Sequence, residues 1–196
     1  MKKKTCYLFI FDGFADWGAA YASIGIAGSE GYQLKTIAIE MTKKQSMGGL
    51  AIIPDFDFIP EIDLVDITPD NTALLILPGG NAWEEKKNDP IESLVRHCVV
   101  FNIPVAAICG ATIFLADLGL LNEKDHTSND LLYLQAFAPD YGGKDFYRNK
   151  PSVRSKNIIT ANGAAAVEFA KDIFETLEVK DEAEKWGFQY FDKVII

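Results

Sequence analysis

Short runs of consecutive apolar residues alternate with segments of helical spacing along this chain, which limits the folds that it can adopt. Five of these runs are typical of strands that are covered on both faces, namely residues 6–11, 34–39, 73–77, 104–108 and 157–161. Strands that alternate with helices assemble into a mostly parallel sheet with helices on both faces. The alternation therefore predicts an α/β fold built as a three-layer sandwich.

Segments between and after these strands carry apolar residues at helical spacing, and we predict helices at residues 17–29, 90–101, 111–118, 129–137, 164–177 and 182–191. Ser128 precedes the fourth of these helices and is a candidate N-cap. Residues 43–57 contain Gly48 and Pro54 and are expected to form a hairpin or a loop. The polar segment 139–154, rich in glycine and aromatic residues, is expected to be a long surface loop.

Length and composition limit the class of protein. A chain of 196 residues with 48% hydrophobic and 24% charged residues predicts one folded domain over residues 1–196. A net charge of −9 without a basic patch argues against a nucleic acid or an anionic membrane as partner. No apolar stretch approaches the length of a membrane span. We therefore expect a small-molecule or peptide substrate.

The chain contains three cysteines, Cys6, Cys98 and Cys109, whose spacing is not that of a metal site. An odd number of free thiols suits a reducing cytoplasm, which is the location that we expect. Two histidines, His97 and His126, are too few for a histidine-built metal site. The sequence thus predicts neither a bound metal nor a cofactor.

The segment most informative about function is the end of the fourth predicted strand, where Ile108 is followed by Cys109, Gly110 and a helical pattern. A nucleophile on a sharp strand-to-helix turn has this pattern, because small neighbours permit the turn that exposes its side chain. The unpaired N–H groups at the start of the helix favour thiolate over thiol. We interpret Cys109 as a candidate nucleophile; the alternative is a buried structural cysteine.

Four turns that follow predicted strands are expected to meet at one edge of the sheet, because ligands of such sheets gather at the carboxyl ends of the strands. These turns are residues 12–16, 78–80, 109–110 and 162–163. Glycines let the backbone approach a ligand closely, so the N–H groups of Gly79, Gly80 and Gly110 predict an oxyanion hole beside the cysteine sulfur. The alternative is an ordinary Pro-Gly turn.

Two side chains are candidates to move protons at this site. His126 lies seventeen residues after Cys109 and is a candidate base, since a thiol–imidazole pair holds the sulfur as thiolate; the alternative is a surface or capping histidine. Asp16 is a candidate to shuttle a proton, whereas Asp12 is expected to form the turn or cap the helix. The charged residues at 84–87 are expected to form a solvated helical turn.

Several segments resemble the ThiJ/PfpI superfamily, a class I glutamine-amidotransferase-like group that includes intracellular proteases, chaperones and glyoxalase or deglycase enzymes. The matching segments stand in the family order and cover nearly the whole chain: residues 11–14, 77–81, 107–112, 119–121, 159–163 and 168–170. The resemblance implies a flavodoxin-like sandwich and a homodimer. It also implies a reactive cysteine at Cys109 and an oxyanion site around Gly79, Gly80 and Gly110.

The chain departs from the family pattern at its helper residues. Gly110 stands directly after the cysteine, where the protease-like members carry a histidine. Asn129 follows two hydroxyl residues, where other relatives carry a histidine, and we include Asn129 among the expected pocket residues. Ala15 and Gly18 stand where many relatives carry an acid, and the late His-x-Glu of glutamine amidotransferases is absent from the sequence.

Three functions remain open from the sequence. The first is a cysteine-dependent hydrolase or lyase, protease/amidase-like or glyoxalase/deglycase-like, in which Cys109 attacks a small carbonyl or amide substrate. The second is a redox or stress-sensing protein in which Cys109 is oxidised reversibly without turnover. The third is a non-catalytic binding module that has kept the pocket.

Overall fold

The computed structural model describes residues 2–58 and 64–179. Its strands are β1 (Lys4–Phe9), β2 (Tyr32–Ala38), β3 (Lys44–Gln45), β4 (Ala51–Ile52), β5 (Phe56–Asp57), β6 (Thr72–Leu77), β7 (Val105–Ile108), β8 (Ser152–Ser155) and β9 (Ile158–Ala161). Its α-helices are α1 (Asp16–Gly28), α2 (Glu92–Val100), α3 (Ala111–Asp117), α4 (Leu131–Phe137) and α5 (Ala166–Leu177). Short 3-10 turns lie at Leu64–Asp66, Asn81–Trp83, Asp89–Ile91 and Lys144–Phe146.

Seven strands form the main sheet in the order β5-β2-β1-β6-β7-β9-β8, and its neighbouring strands are parallel except for β8 and β9. β3 and β4 form a separate antiparallel hairpin. Helices α1 and α5 pack against each other, while α2 and α3 contact β7, so that helices cover both faces of the sheet. The predicted flavodoxin-like sandwich with a mostly parallel sheet is confirmed.

Strand β7 lies inside the sheet, between β6 and β9, and is buried on both faces. Val105, Ala106, Ala107 and Ile108 each expose 0% of their surface. Helices on both sides of a parallel sheet leave no solvated face, which explains why the sequence of this strand is continuously apolar. The residue that follows Ile108 therefore emerges at the carboxyl edge of the sheet.

An aromatic cluster beneath this edge fixes the turn that follows β6. The ring centroid of Trp83 lies 5.8 Å from that of Phe9, 5.5 Å from that of Phe11 and 5.2 Å from that of Phe114. The Nε1 of Trp83 donates a hydrogen bond to the Pro78 carbonyl at 2.8 Å. Because Trp83 is buried, this bond is shielded from water and holds the turn in place relative to β1 and α3.

The start of the fourth predicted helix is wrong. Helix α4 begins at Leu131 and its N-cap is Asp130, whose side chain accepts the N–H of Leu132 at 2.7 Å. The hydroxyl of Ser128, predicted as the cap, lies 2.7 Å from the hydroxyl of Thr112 instead. A carboxylate two residues closer to the helix thus takes the capping position.

Other boundaries differ where polar residues form strands. β1 starts at Lys4 rather than residue 6, because Lys4 and Thr5 pair with β2 although neither is apolar. The predicted loop at 139–154 is wrong at its end, where the edge strand β8 pairs with β9 and buries one apolar side chain, Val153. The hairpin predicted within 43–57 is confirmed as β3 and β4.

The helix predicted at 182–191 lies outside the residues that the structure describes. Within residues 2–58 and 64–179, no helix combines the length and the apolarity needed to cross a membrane.

Candidate functional site

Cys109 occupies a sharp turn between β7 and α3. Its φ is +59°, a backbone conformation that residues other than glycine adopt rarely. Its N–H donates to the Ala161 carbonyl at 2.9 Å, and its own carbonyl accepts from the backbone N–H of Thr112 at 3.1 Å and from the Thr112 hydroxyl at 2.6 Å. These bonds on both sides hold the residue in a strained conformation that places its side chain at the carboxyl edge.

Glycines leave the space that the cysteine side chain occupies. A Cβ built on Gly79 would lie 2.8 Å from the Cβ of Cys109 and 3.2 Å from its Sγ. A Cβ on Gly163 would lie 3.0 Å from the same Sγ. Any larger residue at these two positions would displace the sulfur, so the glycines are required for its position.

The structure brings together the four turns that follow the strands. The N–H of Ala15 donates to the Gly79 carbonyl at 2.9 Å, which joins the first turn to the second. The Nε1 of Trp17 donates to the Gly163 carbonyl at 3.2 Å, which joins the first turn to the last. Cys109 lies against both glycines, so the four turns surround one site.

Asn129 contacts the cysteine directly. Its Nδ2 donates to the Sγ of Cys109 at 3.4 Å, and its Oδ1 accepts the Gly163 N–H at 2.8 Å. Thr127, two residues before Asn129, holds this loop against β9, since its N–H donates to the Thr160 hydroxyl at 2.9 Å. Asn129 therefore occupies the place beside the sulfur that the sequence resemblance assigned to a histidine.

An open cavity of about 270 Å³ lies over the cysteine. Its polar lining includes Gly80, Glu84, Gly110, Asn129 and Tyr133. Its less polar side includes Ala15, Trp17 and Met47. Cys109 is half-buried and reaches this cavity, which contradicts the alternative of a fully buried structural cysteine.

Backbone N–H groups are available on the two turns that flank the sulfur. Within the described residues, the N–H groups of Gly79, Gly80 and Gly110, the three predicted for an oxyanion hole, donate no hydrogen bond. Gly80 has a φ of +145°, and a Cβ there would lie 2.7 Å from the Phe11 ring, so glycine is needed for this turn. A Cβ on Gly110 would lie 2.8 Å from the Gly80 carbonyl oxygen, which shows how closely the two turns approach.

A tyrosine–glutamate pair lines the same cavity. The Tyr133 hydroxyl donates to the Oε1 of Glu84 at 2.6 Å. Burial, together with the hydrogen bond to Glu84 and the charge of Glu84, raises the pKa of Tyr133 well above its usual range. The phenol therefore stays protonated at neutral pH and is placed to exchange a proton with the carboxylate.

Sequence reasoning missed this pair, because Glu84 was expected in a solvated turn and Tyr133 was not singled out. One signal was present in the spacing. Glu84 stands four residues after Gly80, and Tyr133 stands four residues after Asn129. Each of the two residues belongs to a short helical segment that begins next to a site residue: Glu84 directly follows the 3-10 turn Asn81–Trp83, and Tyr133 lies in the first turn of α4.

His126 lies elsewhere and has other partners. It is fully buried, its Nδ1 lies 2.7 Å from the Lys124 carbonyl oxygen and its Nε2 lies 2.5 Å from the Tyr141 hydroxyl. A carbonyl only accepts, so Nδ1 carries the proton and Nε2 accepts from Tyr141. Burial lowers the pKa of His126, against the opposing effect of the bond to Lys124. The structure does not bring this imidazole to the lining of the Cys109 cavity.

Asp16 also uses its carboxylate away from the sulfur. Its Oδ2 accepts from the Ser46 hydroxyl at 2.5 Å and from the Gly48 N–H at 3.1 Å. These bonds fasten the β3–β4 hairpin to the start of α1. Met47, between the two bonded residues, thereby reaches the rim of the cysteine cavity. Asp16 itself is not part of the lining.

In the part of the chain that the structure describes, no group of three or more His, Cys, Asp or Glu side chains is arranged to hold a metal ion. The polar groups of the cavity are amides, a phenol, a carboxylate and the thiol.

Comparison with known sequences gives one family match. The sequence model described as DJ-1/PfpI family matches residues 4–176 of this chain. A Bacillus subtilis (strain 168) protein named "Uncharacterized protease YoaZ" is 36% identical over 186 residues, which covers 91% of this chain and 86% of that protein. Another from the same organism, named "Uncharacterized protease YdeA", is 33% identical over 197 residues and covers 96% of this chain and 94% of that protein.

Comparison with solved structures gives the same architecture. The crystal structure of DJ-1 superfamily protein Atu0886 from Agrobacterium tumefaciens superposes with a TM-score of 0.84 at 30% sequence identity. The superposition covers 96% of this chain and 97% of that one.

Proposed function

Because this chain belongs to the DJ-1/PfpI family, we propose that it is a cysteine-dependent hydrolase of small amides or peptides, with Cys109 as the nucleophile. The observation that carries this proposal is the position of Cys109, which lines an open cavity beside the N–H groups of Gly80 and Gly110. The two relatives that are named as proteases favour an amide substrate over other small carbonyl compounds.

The first chemical step is attack of the Cys109 sulfur on the carbonyl carbon. The C–S bond forms as the carbonyl π electrons move onto oxygen, and the N–H groups of Gly80 and Gly110 stabilise the resulting oxyanion. The C–N bond then breaks, the amine leaves and the acyl group stays on sulfur as a thioester. Water attacks the thioester, releases the carboxylic acid and restores the thiol.

Tyr133 and Glu84 supply the proton path for these steps. The thiol proton passes to the Tyr133 hydroxyl as that hydroxyl gives its own proton to Glu84, and the reverse transfer protonates the leaving amine. The same pair accepts a proton from water in the second half of the cycle and returns it to sulfur. The hydrogen bond of 2.6 Å between the two side chains supports this role.

The two proton carriers expected from the sequence act as positioning residues in this proposal. His126 fixes the segment that leads to Asn129 through its bonds to Lys124 and Tyr141. Asp16 fixes the hairpin that carries Met47. Neither side chain lines the cavity over the sulfur.

Redox sensing is the second candidate function, and one contact favours it. The side-chain donor to the sulfur is an amide of Asn129 rather than an imidazole, so the cysteine lacks the base that commits many thiols to turnover. A thiol on an open cavity without such a base is suited to reversible oxidation.

Hydrolysis of short peptide anilides by the wild type, Cys109→Ser and the control Cys98→Ser tests the proposal. We expect turnover and a thioester adduct, detected by intact mass, in the wild type and in Cys98→Ser, and neither in Cys109→Ser. Turnover that survives Cys109→Ser overturns the nucleophile assignment. If the wild type shows neither turnover nor adduct, and mild peroxide oxidises Cys109 in a way that a thiol reductant reverses, redox sensing replaces hydrolysis as the function.

Two further expectations remain: a homodimer, which the resemblance implies, and a cytoplasmic location, which the three free thiols suit. Light scattering after size-exclusion chromatography distinguishes a dimer from a monomer of 21.7 kDa.

A further inference from the structure

A second cavity adjoins the one over the cysteine. It has a volume of about 490 Å³, and Met47 and Asn81 line both cavities. A molecule that reaches the sulfur can therefore extend past these two side chains into the larger space. The larger cavity holds none of the reacting groups assigned above, so its lining bears on what binds rather than on the chemical step.

The charges of this second cavity favour a cation. Among the residues that the structure describes, its charged lining consists of Asp12, Glu85 and Lys87, which sum to a formal charge of −1. The Nζ of Lys87 lies 2.5 Å from the Oε2 of Glu85, so these two compensate each other. Asp12 accepts the Gln45 N–H through Oδ1 at 2.9 Å, and within the described residues it has no ion-pair partner. The carboxylate of Asp12 is therefore the charge that a ligand would neutralise.

One residue that lines the same cavity has a buried donor without an acceptor. Asn88 lines it and is 2% exposed, and the Nδ2 of Asn88 is a buried side-chain nitrogen with no hydrogen-bond partner in the described part of the chain. An unpaired buried amide N–H is costly, and buried polar groups are otherwise almost always satisfied. A carbonyl oxygen brought into this cavity would supply the missing acceptor.

We infer that this second cavity binds the free amino-terminal end of a peptide whose scissile amide lies over Cys109, an inference that rests on the proposed hydrolase. The α-ammonium group would lie against Asp12, and the first peptide carbonyl would accept from Asn88. The apolar side chains of Phe11, Ile39 and Met47 would contact the first side chain.

The lining favours this end of a peptide over two other classes of ligand, those that bring a carboxylate and those that are neutral. A free amino acid or a peptide carboxyl terminus brings a carboxylate, which the net negative lining of Asp12, Glu85 and Lys87 repels. A neutral polyhydroxyl compound satisfies Asn88 but leaves the charge of Asp12 uncompensated. An ammonium next to a neutral carbonyl satisfies both groups together.

Binding to a protein that cannot turn over tests the inference apart from the chemistry. Short alanine peptide amides of two to four residues, each with a free or an acetylated amino terminus, are titrated into Cys109→Ala and, in parallel, Cys109→Ser by NMR chemical-shift mapping. The same titrations follow Asp12→Asn in each background, which keeps the Oδ1 acceptor for Gln45 and removes the charge. Asp70→Asn, on an exposed turn before β6, is the matched control.

We expect the free amino terminus to bind about threefold tighter than its acetylated partner, the range of an exposed ion pair. Asp12→Asn should abolish this preference and Asp70→Asn should keep it. Binding of the peptide with a free amino terminus should shift the NMR signals of Asn88. Any of four results overturns the inference. These are equal binding of the free and acetylated peptides, a preference that survives Asp12→Asn, the absence of binding, and a sugar that competes for the same residues with equal affinity. If Cys109→Ala prefers the free amino terminus but the wild type shows no turnover, the binding inference holds and the proposed hydrolase is wrong. If the wild type hydrolyses only acetylated peptides, the hydrolase holds and the binding inference is wrong.

Discussion

The side-chain amide of Asn129 links the sulfur of Cys109 to the backbone of Gly163. Its Nδ2 lies 3.4 Å from Sγ, and its Oδ1 accepts the Gly163 N–H at 2.8 Å. The backbone bond fixes which end of the amide faces the sulfur, because only the oxygen can accept from an N–H. The thiol is thus presented with a hydrogen-bond donor.

Asn129→Asp separates these two contacts. The variant keeps an acceptor for Gly163 but turns a carboxylate toward the sulfur, which disfavours a thiolate there. We expect the rate of Cys109 alkylation by iodoacetamide to fall about tenfold while the midpoint of urea unfolding changes little. Asn122→Asp, whose Oδ1 likewise accepts a backbone N–H from Gly142, should leave alkylation unchanged. An unchanged rate in Asn129→Asp would show that the amide does not act on the sulfur.

The three thiols should differ sharply in reactivity in the folded protein. Burial raises the pKa of Cys6 and of Cys98 to about 12, and both side chains are buried, whereas Cys109 lines an open cavity. Iodoacetamide at pH 8 should add one label per chain, at Cys109, and three labels in urea. Peptide mass mapping checks the position, and rapid labelling of Cys98 in the native protein would contradict the burial argument.

Gly79→Ala should damage the site through space alone. Its new Cβ would lie 2.8 Å from the Cβ of Cys109, so the cysteine must shift from its place beside the N–H groups. We expect a loss of about 1–3 kcal/mol in the free energy of unfolding, together with a slower alkylation of Cys109. Gly31→Ala is the control, since a Cβ there meets nothing within 4 Å. Equal effects of the two substitutions would rule out the steric explanation.

Tyr133→Phe should separate proton transfer from binding. The variant loses the hydroxyl that donates to Glu84, and we expect kcat to fall roughly a hundredfold with little change in KM. Glu84→Gln should give the same loss, because it removes the carboxylate that accepts the Tyr133 proton. Tyr32→Phe, which loses a bond to the Leu177 carbonyl at the far edge of the sheet, should keep wild-type kinetics. A normal kcat in Tyr133→Phe assigns the proton path to another group.

His126 should make stability depend on pH. Burial lowers its pKa below the ordinary 6.5, so the unfolded chain binds the proton more readily than the folded one. Above about pH 6.5 the imidazole is neutral in both states, and the lowered pKa costs no stability. Below about pH 6.5 the free energy of unfolding decreases as the pH falls. His126→Gln should be less stable at pH 7.5 by about 1–3 kcal/mol and should lose stability less steeply from pH 7 to 5. Urea unfolding of the wild type and of His126→Gln between pH 7.5 and pH 5 checks both expectations, and equal pH slopes in the two proteins would contradict them.

Local sequence determined the scaffold of the site but not its helpers. The apolar run before Cys109 and the glycines near positions 79 and 110 are contiguous patterns, and the predicted strand at 104–108 matches β7 within one residue. The partner of the sulfur depends on how the loop at 124–130 packs. There His126 turns inward to Tyr141, while Asn129 reaches Cys109. Both residues are polar and three positions apart, so the sequence alone does not separate them.

Longer-range packing explains the other differences. Glu84 belongs to a charged run that reads as solvated, and only the approach of Tyr133 from a segment 49 residues away draws it into the cavity. The cap of α4 depends on a similar competition, because Ser128 is taken by Thr112 and Asp130 is left to bond Leu132.

The fastening of the β3–β4 hairpin has an evolutionary consequence. The strands of the main sheet fix the positions of Cys109 and of the N–H groups of Gly80 and Gly110. Met47, which lines both cavities, lies instead on the β3–β4 hairpin, which is hydrogen-bonded to Asp16. Substitutions confined to this hairpin, in evolution or in laboratory selection, can therefore change which molecules bind while the turn at Cys109 stays intact. The part of the selectivity that Met47 controls is thus inherited separately from the reactivity.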